Sequence, residues 1–119
     1  MFTPFINNGH HHILNSIIDD IASFFKKLNF EIVSGPEVVS PIYNFDHLNI
    51  DENHPARASA DSFFINSIKM LRTHCTTTTA QFLENNVNKD IRIMSFGNVY
   101  RKDDDDATHS HQFNQVDFV

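Results

Sequence analysis

The order of apolar and polar positions divides the chain into one strong helix, a long interval without a period, and a C-terminal half that reads mostly as strands. From Ile13 the spacing is helical. Ile13, Ile17, Ile21, Phe24 and Leu28 form one stripe, Leu14, Ile18 and Phe25 widen it, and Asp19, Asp20, Lys26 and Lys27 take the wetter side. The lysines fall in the last turn, as the helix dipole favours. So broad a stripe predicts a helix covered on one face and touching a second surface at its edge. Residues 1–12, with Pro4, Asn7-Asn8-Gly9 and three histidines, read as an irregular lead-in whose histidines suit an exposed turn or a helix cap.

Phe30 to Val33 is a strand candidate ended by Ser34-Gly35-Pro36, because Pro36 cannot donate to a ladder. Residues 37–61 show no sustained period, which predicts a long functional loop region. Ser62 to Ile65 reads as a strand, and Ile68 to Leu71 as a second arm or a short helix. Four threonines, Thr76 to Thr79, precede Ala80, Phe82 and Leu83, and Thr78 with Gln81 has capping-box spacing, predicting a helix near 77–86. Ile91 and Ile93 alternate with Arg92 and Met94, predicting a strand over 90–95, a break at Gly97 and a further strand through Val99 and Arg101. Lys102 to Gln112 is polar. Alternation resumes at Phe113 and is still running at Val119, so a piece of a longer domain is expected.

Composition narrows the classes. At 119 residues the chain suits one modest domain. Fifteen acidic against nine basic residues give a net charge of −6, a poor match to non-specific nucleic-acid or anionic-membrane binding. The single cysteine, Cys75, excludes an internal disulfide framework and a cysteine-rich zinc site. No apolar run approaches the roughly 20 residues that span a bilayer, and no Lys or Arg precedes Lys26, so the charged start of a secretory signal is missing. A cytoplasmic protein without a membrane partner is expected.

The chemistry concentrates near the C-terminus. Arg101 and Asp103 are two apart, as are Gln115 and Asp117, so each pair can share a sheet face. If the two strands form a hairpin, a guanidinium, two carboxylates and an amide meet on one surface. That surface suits a small molecule with an anionic part and an amine; an ordinary solvated hairpin has the same alternation. Asp103 to Asp106, with His109 and His111 nearby, reads as a solvated acidic loop or as carboxylates that hold Mg²⁺ arriving with a nucleotide. No dedicated metal site is expected there, since no metal-binding frame is present. Arg72, His74 and Thr76 could share one face of an extended segment and point into a pocket, or form a capping corner. Arg57, after His54-Pro55-Ala56, could bind an anion or form a surface ion pair.

Taken in order, these segments resemble the phenylalanine–tRNA ligase alpha-subunit family of class II aminoacyl-tRNA synthetases. Ile13 through Glu37, ending in Phe30-Glu-Ile-Val-Ser-Gly-Pro-Glu37, resembles the first class II motif. Asn44-Phe-Asp-His-Leu-Asn-Ile50, His54-Pro-Ala-Arg57 and Leu71-Arg-Thr-His74 are similar to family signatures. Val99-Tyr-Arg101, Asp106-Ala-Thr-His109-Ser and Phe113-Asn-Gln115 resemble the second motif. The resemblance implies an α+β class II-like antiparallel sheet flanked by helices, incomplete, with residues 13–119 as part of a catalytic domain whose third motif is absent. It implies ATP-dependent attachment of phenylalanine to its tRNA through phenylalanyl-adenylate, with Mg²⁺ carried by ATP. Arg101 would hold the α-phosphate, Asp103 the adenine amino group and His109 the outer phosphates. His74 and Thr76 would line the amino-acid side, and Gln115 and Asp117 would receive the ammonium group. Ile17, Ile21 and Pro36 would face a beta subunit in an α2β2 tetramer.

Departures from the family pattern accompany the likeness. Asp103 and Asp117 stand where glutamate is usual, with about 1.5 Å less reach. Asn114 replaces histidine, Phe118 replaces glycine and Thr79 replaces glutamine. Two other functional classes stay open: a noncatalytic interaction module of the same fold, and an unrelated metal-binding domain in which His109 and His111 coordinate together. Without a third motif, the 119-residue piece on its own is expected to show no phenylalanine-dependent ATP–pyrophosphate exchange, which a radiolabel exchange assay measures directly.

Overall fold

The structure, a computed structural model, describes residues 9–119; residues 1–8, most of the expected lead-in, lie outside the described residues. Helix α1 spans Ile13–Lys27, and the His12 side chain accepts the Leu14 N–H as its N-cap, which is the capping role open to that histidine run. Asn29, with φ 62°, turns the chain into β1, Glu31–Val33. Next come β2 (Val38–Val39) and a short helix α2 (Pro41–Asn44) with Ser40 as cap and Pro41 in its first turn. Two 3-10 turns follow, Asp46–Leu48 and Pro55–Arg57. Then β3 (Phe64–Asn66), β4 (Lys69–Leu71), α3 (Thr76–Asn85), β5 (Ile93–Tyr100) and β6 (Gln112–Phe118) complete the order. The interval 37–61 is therefore not one loop. Its elements are two to four residues long, too short to show a period.

The strands make two three-stranded sheets, β1-β5-β6 and β2-β4-β3. Every pairing is antiparallel apart from β1 with β5, where Glu31 lies beside Ile93 and Val33 beside Ser95. The first sheet is covered on both faces. On one side Phe25 of α1 meets Phe30 and Phe118, with ring centroids 4.9 and 4.8 Å apart. On the other, α3 packs over β5 and β6. The smaller sheet closes over Val39, Phe45 and Met70, with Ile50 and Ala56 beside them. Arg57 belongs to this layer: its guanidinium bonds Asp46 at 2.7 Å, donates from Nε to the Ile50 carbonyl at 3.1 Å and lies 5.1 Å over the Phe45 ring. It is the ion pair of the two readings, buttressed from below.

Three expectations need correction. The stripe on α1 splits: Ile18 and Ala22 are buried, Ile21 and Phe25 half-buried, while Ile13, Ile17, Phe24 and Leu28 stay exposed, as does Pro36. The wider flank of the stripe, rather than its centre, meets the sheet. The capping box does not form either. Cys75 occupies the N-cap of α3 without a side-chain bond, Thr77 Oγ1 donates back to the His74 carbonyl at 3.3 Å, and Thr78 is buried inside the first turn.

Finally, Gly97 does not break the strand; β5 runs through it with φ 153°, a conformation that suits glycine. Its missing side chain makes room for Arg72, whose Nη2 occupies the space a Cβ would need. Arg72 is 2% exposed, donates from Nε to the Asn98 carbonyl at 2.8 Å and from Nη1 to the Gly35 carbonyl at 3.2 Å, and so does not face a pocket with His74.

Gly35 is as crowded as Gly97, since a Cβ there would collide with the Thr78 hydroxyl and methyl. Gly35→Ala is expected to destabilise the protein by about 1–3 kcal/mol. Adding Thr78→Ala should restore part of the loss, a non-additivity that chemical denaturation of the double-mutant cycle will measure.

Candidate functional site

The expected hairpin forms. Residues facing each other across an antiparallel pair share a face, so Ser95 with Asp117, Gly97 with Gln115 and Val99 with Phe113 line one side of β5–β6. The pairing continues past the ladder through the Arg101 N–H to the His111 carbonyl at 2.9 Å, which keeps Arg101 on that side. The Arg101 guanidinium sits 5.2 Å over the Phe113 ring, and its Nε donates to the Thr73 carbonyl at 3.2 Å. Register then stretches the group into a line. Gln115 and Asp117 stand opposite positions four and six residues before Arg101, about 13 and 20 Å of strand.

The N-terminal end of α3 lies over the lower part of this line. The Cys75 N–H donates to Gln115 Oε1 at 2.7 Å, and Thr79 Oγ1 donates to Asp117 Oδ2 at 2.6 Å. His74 sits between the two ends. Its Nε2 meets the Asn44 carbonyl at 2.9 Å and therefore carries the proton, leaving Nδ1 an acceptor with no partner. Burial lowers its pKa most; the Asn44 bond opposes that, Arg101 lowers it further and Asp117 raises it. A neutral imidazole at neutral pH follows.

Two cavities meet at Arg101. One, of about 400 Å³, has an apolar floor of Phe45, Ile50 and Ala56 and a polar wall with His74, Asp61 and Ser62. The other, of about 510 Å³, lies beneath the loop after β5 and is lined by Asp106, Thr108, His109 and Phe113. Arg101 and Asp103 line both, so the guanidinium stands at their common edge. Three expected members are elsewhere. Gln115 and Asp117 are half-buried under α3 and absent from both walls. Thr76 faces a separate cavity of about 300 Å³ with His47, Leu48 and Leu83. The reason is a change of period: α3 begins at Thr76, and the helical turn rotates that residue away from His74.

A family model described as "tRNA synthetases class II core domain (F)" matches residues 1–119. The chain belongs to this family. It is 98% identical over all 119 residues to the phenylalanine–tRNA ligase alpha subunit of Ureaplasma parvum serovar 3. The corresponding alpha subunit of Mycoplasmoides gallisepticum is 51% identical over 113 residues. The chain spans about a third of these relatives, 36% of the first and 33% of the second. The same fold occurs in the crystal structure of pyrrolysyl-tRNA synthetase from Desulfitobacterium hafniense, with a TM-score of 0.75 at 24% identity, covering 94% of this chain and 40% of that one.

Within this class II core, the sequence pattern missed the floor residues Phe45, Ile50 and Ala56 and the wall residues Asp61 and Ser62. Phe45 sits inside the Asn44-to-Ile50 tract already singled out, but only the folded chain shows it supporting a cavity. Phe118, which stands where glycine is usual, points to the α1 side and meets Phe25, away from Asp117. The acidic loop is closed by its own donors. Asp106 accepts from the N–H groups of Thr108 and His109, both at 2.7 Å, and from His109 Nδ1; Asp105 accepts from the His111 N–H and Nδ1. His109 and His111 thus pair with different aspartates. Among the described residues no three His, Cys, Asp or Glu side chains converge as a metal-holding group.

These bonds, first the Thr108 N–H and then the His109 side chain, hold the Asp106 carboxyl below its usual pKa. A depressed folded pKa means that loop order is fully present above the unfolded value and is lost as pH falls through the folded one. In an acid titration followed by NMR, the Thr108 and His109 amide resonances are expected to move together with a midpoint below 3.8. Asp106→Ala should abolish that transition.

Proposed function

We propose that this chain is the part of a phenylalanine–tRNA ligase alpha subunit that positions ATP and phenylalanine for adenylate formation. The observation that carries the reading is Arg101 at the joint edge of two cavities, one with an apolar floor and one beneath a loop bearing His109. The guanidinium fork suits a phosphate held between those spaces. On this reading the carboxylate of phenylalanine attacks the α-phosphorus, pyrophosphate leaves, and the 2′-hydroxyl of the terminal adenosine of the phenylalanine-specific tRNA later takes the acyl group. Arg101 stabilises the charge that develops on the α-phosphate, Asp103 approaches the adenine amino group, and His109 meets the outer phosphates. His74 belongs to the amino-acid side, whereas Thr76 faces its own cavity and takes no part there. Gln115 and Asp117, on the same strand face as Arg101 but under the start of α3, receive the ammonium group, with Thr79 as a neighbour that already fixes one carboxylate oxygen. No enzyme nucleophile is required, because the substrate carboxylate is one; orientation and electrostatics do the work.

Mg²⁺ would enter as a passenger of ATP and not on a protein site of its own: Asp105 and Asp106 are taken by loop donors, and Asp103 is kept for the adenine amino group. The exposed ridge of Ile13, Ile17, Phe24 and Leu28, with half-buried Ile21 beside it and Pro36 near the end of β1, suits a beta subunit in an α2β2 assembly working in the cytoplasm. One observation favours a second reading, a noncatalytic interaction module: Gln115 and Asp117 are engaged by Cys75 and Thr79.

One assay separates the readings. The full-length alpha subunit with its beta partner should catalyse phenylalanine-dependent ATP–pyrophosphate exchange, and Arg101→Ala should lower it by about 10²–10³-fold. The unfolding midpoint should hardly move, since Arg101 is exposed. Exchange that persists in Arg101→Ala would overturn the proposal, and an inactive wild type would favour the module.

A further inference from the structure

The cavity with the apolar floor has two polar walls, and consecutive residues of the hairpin hold one each. Arg101 holds the near wall through the Thr73 carbonyl. The far wall is the segment 58–63, which runs from the second 3-10 turn into β3 and places Asp61 and Ser62 against the cavity. Inside that segment the Asp61 N–H bonds the Ala58 carbonyl at 3.0 Å, and the buried Ser62 hydroxyl bonds the Ala56 carbonyl at 2.9 Å.

Lys102 makes the link from this segment to the hairpin. Its backbone N–H donates to the Asp61 carbonyl at 3.1 Å, its Nζ donates to the Ser59 carbonyl at 2.7 Å, and the ammonium lies 5.6 Å from the Phe63 ring centroid. Strand alternation explains the division of labour. Arg101 and Asp103 line both cavities, whereas Lys102 lines neither, so its charge is directed at the segment and not at an anion in the cavity.

We infer that Lys102 is a positioning residue that latches segment 58–63 to the hairpin and so sets the width of the cavity in which Arg101 and His74 act. Its kinetic consequence rests on the adenylate-forming reading; its structural consequence does not. The lysine is exposed, so its loss opens the segment locally without unfolding the core.

The experiment compares Lys102→Met, which keeps the apolar stem and removes the donor, with Lys102→Arg, which restores a donor, both in the full-length subunit with its beta partner. Hydrogen exchange of the ligand-free protein should show peptides covering 58–63 exchanging about fivefold faster in Lys102→Met. The rate should stay within about twofold of wild type in Lys102→Arg, with the melting temperature unmoved in both. In exchange kinetics, KM for phenylalanine should rise about threefold in Lys102→Met while kcat stays within about twofold. Unchanged amide exchange at 58–63 overturns the latch, and so does a raised KM for ATP without faster exchange, which is the signature of direct anion binding. Faster exchange with unaltered KM overturns the positioning role. If the wild type proves inactive, the proposed function fails, and the amide-exchange comparison alone still decides the latch.

Discussion

The arrangement depends on a buried guanidinium, Arg72, that makes no ion pair among the described residues. Arg72 is held by the carbonyls of Asn98 and Gly35, its own N–H bonds the Glu37 carbonyl, and its carbonyl accepts the Tyr100 N–H. An isolated charge in the interior is costly unless its donors are met. The guanidinium therefore fixes where the turn after β1, the middle of β5 and the segment leading into α3 lie relative to one another. Tyr100 and Asn98 reinforce the same joint through Glu37. Two residues further along the chain from this bolt, His74 enters the cavity wall; one residue further, the Thr73 carbonyl receives Arg101.

Much of the framework was legible because its signals are local. The helical stripe from Ile13, the alternation around Ile93 and that from Phe113 each extend over enough residues to define a period, and all three elements occur. The face shared by Arg101, Gln115 and Asp117 was legible for the same reason, since alternation fixes parity. What alternation does not contain is register. The distance from Arg101 to the other two depends on which residues pair across the hairpin, and that is set by the length and closure of the loop through Asp105 and Asp106.

The misread positions share a physical origin. Thr78 looked like a capping residue and Gly97 like a strand breaker because both residue types usually act on their own backbone. Here each answers to a distant partner: Thr78 is pressed against Gly35, and Gly97 yields space to Arg72. The same holds for α1, where only packing against Phe30 and Phe118 decides which flank of a wide apolar stripe turns inward. Thr76 shows the remaining difficulty. A period of two and a period of 3.6 meet at that residue, and a shift of one position in the boundary changes the cavity it belongs to.

The bonds from Thr79 and Cys75 have a consequence for affinity. A free aspartate or glutamine loses rotational freedom when it clasps a guest, a penalty of about 0.5–1.5 kcal/mol for each side chain frozen on association. Asp117 and Gln115 are already held by donors from the same chain, each acceptor oxygen keeping a further lone pair. That entropy is lost during folding, so on the adenylate-forming reading the two side chains would meet an ammonium group without further ordering.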